Sequence, residues 1–238
     1  MENKYVQDAL IQSAQQSVAW DRLRLGKFTG SGISALMTEP RTKAEKESGA
    51  FSQTALKYIH EKMMEEVTGQ VCYEATGRAI DWGNEWEETA LKELAKHIGS
   101  PAEKTHLKPS FKMFNEYSGC SPDAFMYHSL FDMELGVEIK CPFNSINHFY
   151  HCQITGAETL KETNSDYYWQ VQMNMLTFGK TAWIFASFDP RQPVNRMLTH
   201  SLIHFNPDDG ELLCQKIEKA YEYKKQLLDN WYNTTSPL

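Results

Sequence analysis

The stretch Leu135-Gly136-Val137-Glu138-Ile139-Lys140-Cys141-Pro142-Phe143, with Cys120-Ser121-Pro122-Asp123 upstream of it, decides how this chain is read. Leu135 to Lys140 is an apolar run that predicts a strand. Residues two apart in a strand share a face, so Glu138 and Lys140 project together while Ile139 points into the core. With Asp123 on the neighbouring strand, two carboxylates and an ammonium converge on one point. Carboxylates with open positions suit a hard, oxygen-loving cation such as Mg²⁺ or Mn²⁺, and a lysine beside them can orient or deprotonate a water. A Glu-x-Lys alone says little, because the chain also has Glu2 with Lys4 and Glu222 with Lys224, and charged pairs on a strand are usually surface ion pairs. Only the middle one ends an apolar strand and has a Pro-Asp one strand upstream.

Around this centre the pattern predicts a strand meander at about 105–114, 117–128 and 131–140, punctuated by Pro109, Gly119, Pro122 and Gly136. Before it, helices are expected over 1–20, over 50–68 ending at Gly69, and over 82–98 ending at Gly99. Thr29-Gly30-Ser31-Gly32 reads as a turn, and Ile33 to Met37 as a short helix capped by one of its hydroxyls. After the meander come a helical region at about 157–179, a buried strand from Thr181 to Phe188, a strand over 197–205 and a closing amphipathic helix over 208–232. The order predicts an α/β fold, a mixed central sheet flanked by helices. We expect one domain over 1–238, with an N-terminal helical part to about residue 100 and an αβ core over about 80–205.

With 238 residues, 41% of them apolar, the chain can bury one substantial core. Its net charge of −7 excludes a uniformly basic nucleic-acid coat, yet residues 22–46 hold Arg22, Arg24, Lys27, Arg41, Lys43 and Lys46 against Glu39 and Glu45. The five cysteines are scattered and form no C-x-x-C, so no disulfide framework or four-cysteine metal site is expected. The N-terminus shows no secretory h-region, and Gln170, Gln172, Asn174 and Lys180 interrupt the longest apolar stretch. A cytoplasmic protein without a membrane span is the expectation, and the Asn233 sequon carries little meaning there. Glu85, Glu87 and Glu88 read on composition alone as helix N-terminal charges.

Taken in order, Trp20-Asp-Arg-Leu-Arg24-Leu-Gly26 with Thr29 and Ser31, Pro40-Arg41, Trp82-Gly83 with Glu87, Cys120 to Asp123, Glu138 to Phe143, Gln170-Val171-Gln172, and Ala182-Trp183 to Asp189-Pro190-Arg191 resemble the phage-lambda-type alkaline exonucleases. These belong to the YqaJ-like viral recombinase family of the PD-(D/E)xK nuclease superfamily. The resemblance implies a restriction-endonuclease-like core and a Mg²⁺-dependent nuclease, with Mn²⁺ as a substitute and two ions per site. It implies degradation of one strand of duplex DNA from the 5′ end by a ring-shaped homotrimer, with the 3′ overhang passed to a single-strand annealing protein. By position, Asp123, Glu138 and the carbonyl of Ile139 would hold metal, Lys140 would activate water, Glu87 would support the metal site and Gln170 would orient the reacting groups. Arg24, Ser31 and Ser121 match positions that hold the 5′-terminal phosphate. Arg24 suits bidentate phosphate binding, and the amides of Thr29 to Gly32 could form an anion nest. One departure stands out: a basic residue is expected after the Lys-Cys-Pro-Phe run, where this chain has Asn144-Ser145-Ile146-Asn147-His148. His148 is the nearest substitute.

Other readings are weaker. His148, His151 and Cys152 could suggest zinc but lack a further ligand at a usual spacing. Gly179-Lys180-Thr181 imitates the tail of a phosphate-binding loop, with Asn174 where its first glycine belongs. Tyr167-Tyr168-Trp169 could stack on bases but reads as core. A restriction- or repair-type endonuclease is the alternative activity, and a silent DNA-binding module is disfavoured by the intact Asp123, Glu138 and Lys140.

Overall fold

The computed structural model describes Gln15, residues 18–72 and residues 76–234. The helix expected over 1–20 therefore lies mostly outside the described residues; its end falls in α1 (Val18–Arg24). The centre is a five-stranded sheet ordered β2 (Thr105–Leu107), β5 (Ala124–His128), β6 (Met133–Lys140), β7 (Ala182–Phe188), β8 (Leu198–His204). Only the β6–β7 pair is parallel; the other neighbours are antiparallel, so the sheet is mixed as expected.

Alternation along β6 and β7 divides the core in two. Leu135, Val137 and Ile139 of β6 and Ala182, Ile184, Ala186 and Phe188 of β7 pack with Ala90, Leu91, Leu94 and Ile98 of α4 (Arg78–Ile98). The opposite face offers Trp183 and Phe185 to α7 (Ser165–Phe178), behind which lie α3 (Gln53–Thr68) and α8 (Pro207–Asn233). Every residue of β7 is buried because helices cover both faces, which explains its unbroken apolar run. Gly136 is required by this packing: a Cβ there would stand 2.1 Å from the Trp183 ring, its partner across the parallel pair.

The predicted meander is instead divided between two sheets. β3 (Lys112–Asn115) and β4 (Ser118–Cys120) leave the main sheet and join β1 (Phe28–Thr29) in a small sheet ordered β1-β4-β3. Lys108, at φ +48°, turns the chain away just before Pro109, which has no N–H to continue a ladder. The helical region over 157–179 breaks at Asn164, which separates α6 (Ala157–Thr163) from α7 and caps α7 by accepting a hydrogen bond from the Tyr167 amide at 3.1 Å. Residues 30–37 form a 3₁₀ segment, and no hydroxyl side chain caps it. The sequence reading missed α2 (Lys43–Glu47) and α5 (Ser145–His151). α3 and α4 end at Gly69 and Gly99, as expected, with φ of +66° and +70°.

Candidate active site

Asp123 stands immediately before β5, and two bonds lock it to β6. Its amide donates to the Val137 carbonyl at 3.1 Å, and its Oδ2 accepts from the Ile139 amide at 2.7 Å. Glu138 and Lys140 share the β6 face that looks at α7, where Lys140 Nζ donates to Glu138 Oε1 at 2.5 Å and to Gln170 Oε1 at 3.3 Å. The Lys140 ammonium also lies 4.7 Å from the centre of the Tyr167 ring. Glu138 is buried, and its other oxygen, Oε2, accepts from Asn174 Nδ2 at 3.1 Å.

A cleft of about 420 Å³ opens over this cluster, lined among others by Glu87, Asp123, Ile139, Lys140 and Tyr167. Glu138 and Gln170 sit behind its wall. The electrostatics are strained in a direction that invites positive charge. Burial, then the neighbouring Glu138, holds the Asp123 carboxyl well above its ordinary range. Burial alone would lower the Lys140 pKa, but Glu138 and Asp123 outweigh it and raise it, so Lys140 is an ammonium at neutral pH. Burial and the charges of Glu87 and Asp123 push the adjacent Cys141 thiol up to about 12, so it is no thiolate nucleophile.

Glu87 belongs to the cleft rather than to a helix N-terminus. α4 begins four residues earlier than expected, with Asp81 in its first turn, so Glu87 faces the site from the helix body and pairs with Lys108 Nζ at 3.1 Å. Among the described residues no three His, Cys, Asp or Glu side chains converge as a ready metal cage. The available donors are the carboxylates of Asp123 and Glu138, with Glu87 behind a lysine. An all-oxygen set with mutually repelling acids fits a hard divalent cation, provided that Lys140 or Lys108 yields its place.

The second predicted cluster also assembles. Arg24 Nη2 lies 3.4 Å from Ser31 Oγ, its guanidinium sits 4.0 Å from the centre of the Trp20 ring, and Trp20 Nε1 donates to Ser121 Oγ at 2.9 Å. Arg24 and Ser31 line a separate cleft of about 580 Å³. Burial lowers the Arg24 pKa, and among the described residues it has no carboxylate within ion-pair distance. The nest expected from Thr29 is reduced, since the Thr29 amide donates to Tyr58 Oη at 2.9 Å.

His148 does not replace the missing basic residue. It is buried and turned to the far side of α5, where Nδ1 meets Ser187 Oγ at 2.9 Å and Nε2 meets the Arg196 carbonyl at 2.8 Å. His151 Nδ1 contacts the same Ser187 hydroxyl at 2.9 Å, so these histidines form a structural network with no zinc set. Of the aromatic run, Tyr168 and Trp169 are core, while Tyr167 reaches the cleft.

The sequence reading gave no role to Asn174 or Lys108, and left Asp189 and Arg191 as matched positions only. Arg191 clamps the Lys-Cys-Pro-Phe turn, donating to the carbonyls of Pro142 at 3.1 Å and Phe143 at 2.9 Å and to Asp189 at 2.7 Å, with its guanidinium 4.4 Å from the Trp82 ring centre. Burial would raise Asp189, but hydrogen bonds from Arg191, Ser145 and Gln192 outweigh it and hold it well below its ordinary range. The Asp-Pro-Arg and Trp-Gly signatures thus frame the Lys-Cys-Pro-Phe turn from two sides. The spacing of Asp189 and Arg191 was the available signal.

A mixed sheet between helices, with an acid before one strand and Glu-x-Lys at the end of the next, defines a PD-(D/E)xK-type fold of the alkaline exonuclease kind. The sequence model of the YqaJ-like viral recombinase domain matches residues 19–181, more than half of the chain, and the chain belongs to that family. Among solved structures it is similar to LHK-Exo, an alkaline exonuclease from Laribacter hongkongensis, in complex with dAMP, at TM-score 0.71 and 20% identity, over 90% of this chain and 96% of that one. A phage-related exonuclease from Haemophilus somnus 129PT matches at TM-score 0.70 and 19% identity, over 86% of this chain and 96% of that one. A SOX–DNA complex matches at TM-score 0.54 and 13% identity, over 92% and 71%. No curated protein matches significantly in sequence. Among the described residues, no helix is long and apolar enough to cross a membrane.

Proposed function

We propose that this chain is a Mg²⁺-dependent exonuclease that digests the 5′-ended strand of duplex DNA and leaves a 3′ overhang for a single-strand annealing partner. The observation that carries this reading is the bonded set Asp123, Glu138, Lys140 and Gln170 under an open cleft. A family of viral recombinases and a similar fold solved with a mononucleotide support it. Asp123, Glu138 and the Ile139 carbonyl would hold one or two divalent ions, with Mn²⁺ as a substitute. When bound, such ions neutralise phosphate charge and acidify water.

The chain's own groups do the rest. Lys140 would orient the nucleophilic water and, once positive charge beside Asp123 and Glu138 lets its ammonium release a proton to solvent, the free amine would take the water's proton. Gln170 fixes the Lys140 ammonium from the helix side. Glu87, freed from Lys108, completes the carboxylate side of the cleft. Arg24, Ser31 and Ser121 would grip a terminal phosphate by charge-assisted hydrogen bonds.

Linear duplex labelled at either end tests this reading. Mg²⁺-dependent release of the 5′ label ahead of the 3′ label, with closed circular DNA left intact, is the expected result. Cleavage of closed circles would turn the reading to an endonuclease, and no cleavage in Mg²⁺ or Mn²⁺ would overturn it. Light scattering should give a homotrimer.

A further inference from the structure

α7 carries a second residue in register with the catalytic strand. Glu138 and Lys140 are two apart on β6, a rise of about 6.6 Å, and Gln170 and Asn174 are four apart on α7, a rise of about 6 Å. The near match lets one helix face serve both strand residues. Gln170 meets Lys140 at 3.3 Å, and Asn174 meets Glu138 at 3.1 Å.

Asn174 is an unfavourable residue for its place. It is fully buried in the middle of α7 between Met173 and Met175, and its Oδ1 has no hydrogen-bond partner among the described residues. A buried amide with one unsatisfied oxygen is less stable there than an apolar side chain of similar size. What the amide does achieve is to hold Glu138 Oε2, which leaves Oε1 for Lys140. Its free oxygen looks toward Gly30, next to Ser31: a Cβ built on Gly30 would stand 3.2 Å from Asn174 Oδ1 and 2.9 Å from Cys120 Cβ. The same side chain therefore touches the catalytic carboxylate and abuts the segment that carries Ser31.

We infer that Asn174 is a positioning residue, which fixes the rotamer of Glu138 so that the carboxylate presents one defined oxygen to the site. The inference rests on the nuclease reading. It deepens that reading by assigning the support of Glu138 to a helix residue that touches neither substrate nor water. A positioning residue of this kind differs from a packing residue in a measurable way, because its loss leaves the fold and weakens cation binding.

The test uses full-length Asn174→Ala and Asn174→Ser beside the wild type. Isothermal titration of Mn²⁺ into each protein without DNA reads cation affinity, initial digestion rates over a Mg²⁺ series separate kcat from the metal requirement, and thermal melting reads the fold. Asn174→Ala is expected to bind Mn²⁺ about 10- to 100-fold more weakly and to lose kcat at saturating Mg²⁺, with a melt that stays cooperative although Glu138 Oε2 is left unpaired. The Ser hydroxyl, still a donor though shorter, is expected to recover part of both. Should the Ala variant fail to fold, the Ser variant decides by the same measurements. An active wild type with unchanged Mn²⁺ affinity and kcat in a folded variant would overturn the inference alone. Loss that tracks only the unfolded fraction would do the same. A wild type that neither binds Mn²⁺ nor cleaves DNA would instead overturn the nuclease reading beneath it.

Discussion

Under the proposed function, replacing Arg24 is expected to separate end recognition from folding. Its guanidinium is partly withdrawn from water, rests on Trp20 at 4.0 Å and makes a long contact of 3.4 Å with Ser31. Burial lowers its pKa, so a positive charge is held in a site that opposes it, and an incoming phosphate would relieve that cost. Each hydrogen bond to a charged group is worth about 1.5–3 kcal/mol, so one lost contact lowers discrimination by roughly 10- to 150-fold. The effect on stability is small by comparison. No described carboxylate is stranded when Arg24 is removed, and the stacking on Trp20 contributes about 0.5–1 kcal/mol, or roughly 1–4 °C in a domain of this size. Initial digestion rates of 5′-phosphorylated and 5′-hydroxyl duplexes, measured for wild type and Arg24→Ala together with thermal melts, read both quantities. The expected result is a preference for phosphorylated ends that disappears in Arg24→Ala, with a melt within about 4 °C of wild type. An Arg24→Ala enzyme that keeps the full preference would show that the phosphate is read elsewhere.

Three further outcomes are expected. The Asp123 carboxyl titrates above its ordinary 3.8, so its favourable contribution in the metal-free protein is complete below that value and disappears as pH rises through the folded value. Asp123→Asn should therefore abolish cleavage yet melt higher than wild type at neutral and alkaline pH, and a lower melt there would contradict the burial argument. Burial, then His148 and Lys140, lowers His151 to about 4 from 6.5, so stability is lost as pH falls between these values by about 3 kcal/mol at most. Denaturant titrations of His151→Phe should show a flatter acid limb than wild type, and an unchanged limb would place the proton uptake at another group. Lys224, buried, donates to the Gly26 carbonyl at 2.7 Å and to Glu66 at 2.8 Å. Because Glu66 is half exposed and can rehydrate, Lys224→Met should cost about 2–3 kcal/mol rather than the 3–5 typical of a fully buried pair. A calorimetric melt lowered by roughly 4–12 °C is the corresponding signal, and no shift would mean the lysine is dispensable.

The strand face that carries Glu138 and Lys140 was legible because its pattern is local. A period of two puts Glu138 beside Lys140 whatever surrounds them, and the apolar residues between fix which face is core. Residues whose meaning comes from another element were not legible. Asn174 is a lone polar residue in an apolar helix until Glu138 is set against it. α5 is built from Ser-Ile-Asn-His-Phe-Tyr-His, a weak helix sequence, and is initiated by Asn144, whose side chain accepts from the Ile146 amide at 3.0 Å. Its histidines look like ligands in one dimension and prove to be partners of Ser187, a residue on β7 that pairs with Lys140. The division of the meander between two sheets likewise depends on β1, a two-residue strand too short to read from a pattern.

The passage from β4 to β5 is only Ser121, Pro122 and Asp123, yet it carries the chain from the small sheet to the large one. Two residues of extended backbone reach about 7 Å at most. Under the proposed function, the residue that grips the terminal phosphate and the residue that holds the cutting ion are therefore the two ends of one covalent ruler, stiffened in the middle by a proline. The link bounds how far these two residues can separate, whatever the elements around them do. One extra residue in this passage would raise that bound by about 3.5 Å and loosen the spacing between the two sheets' contributions.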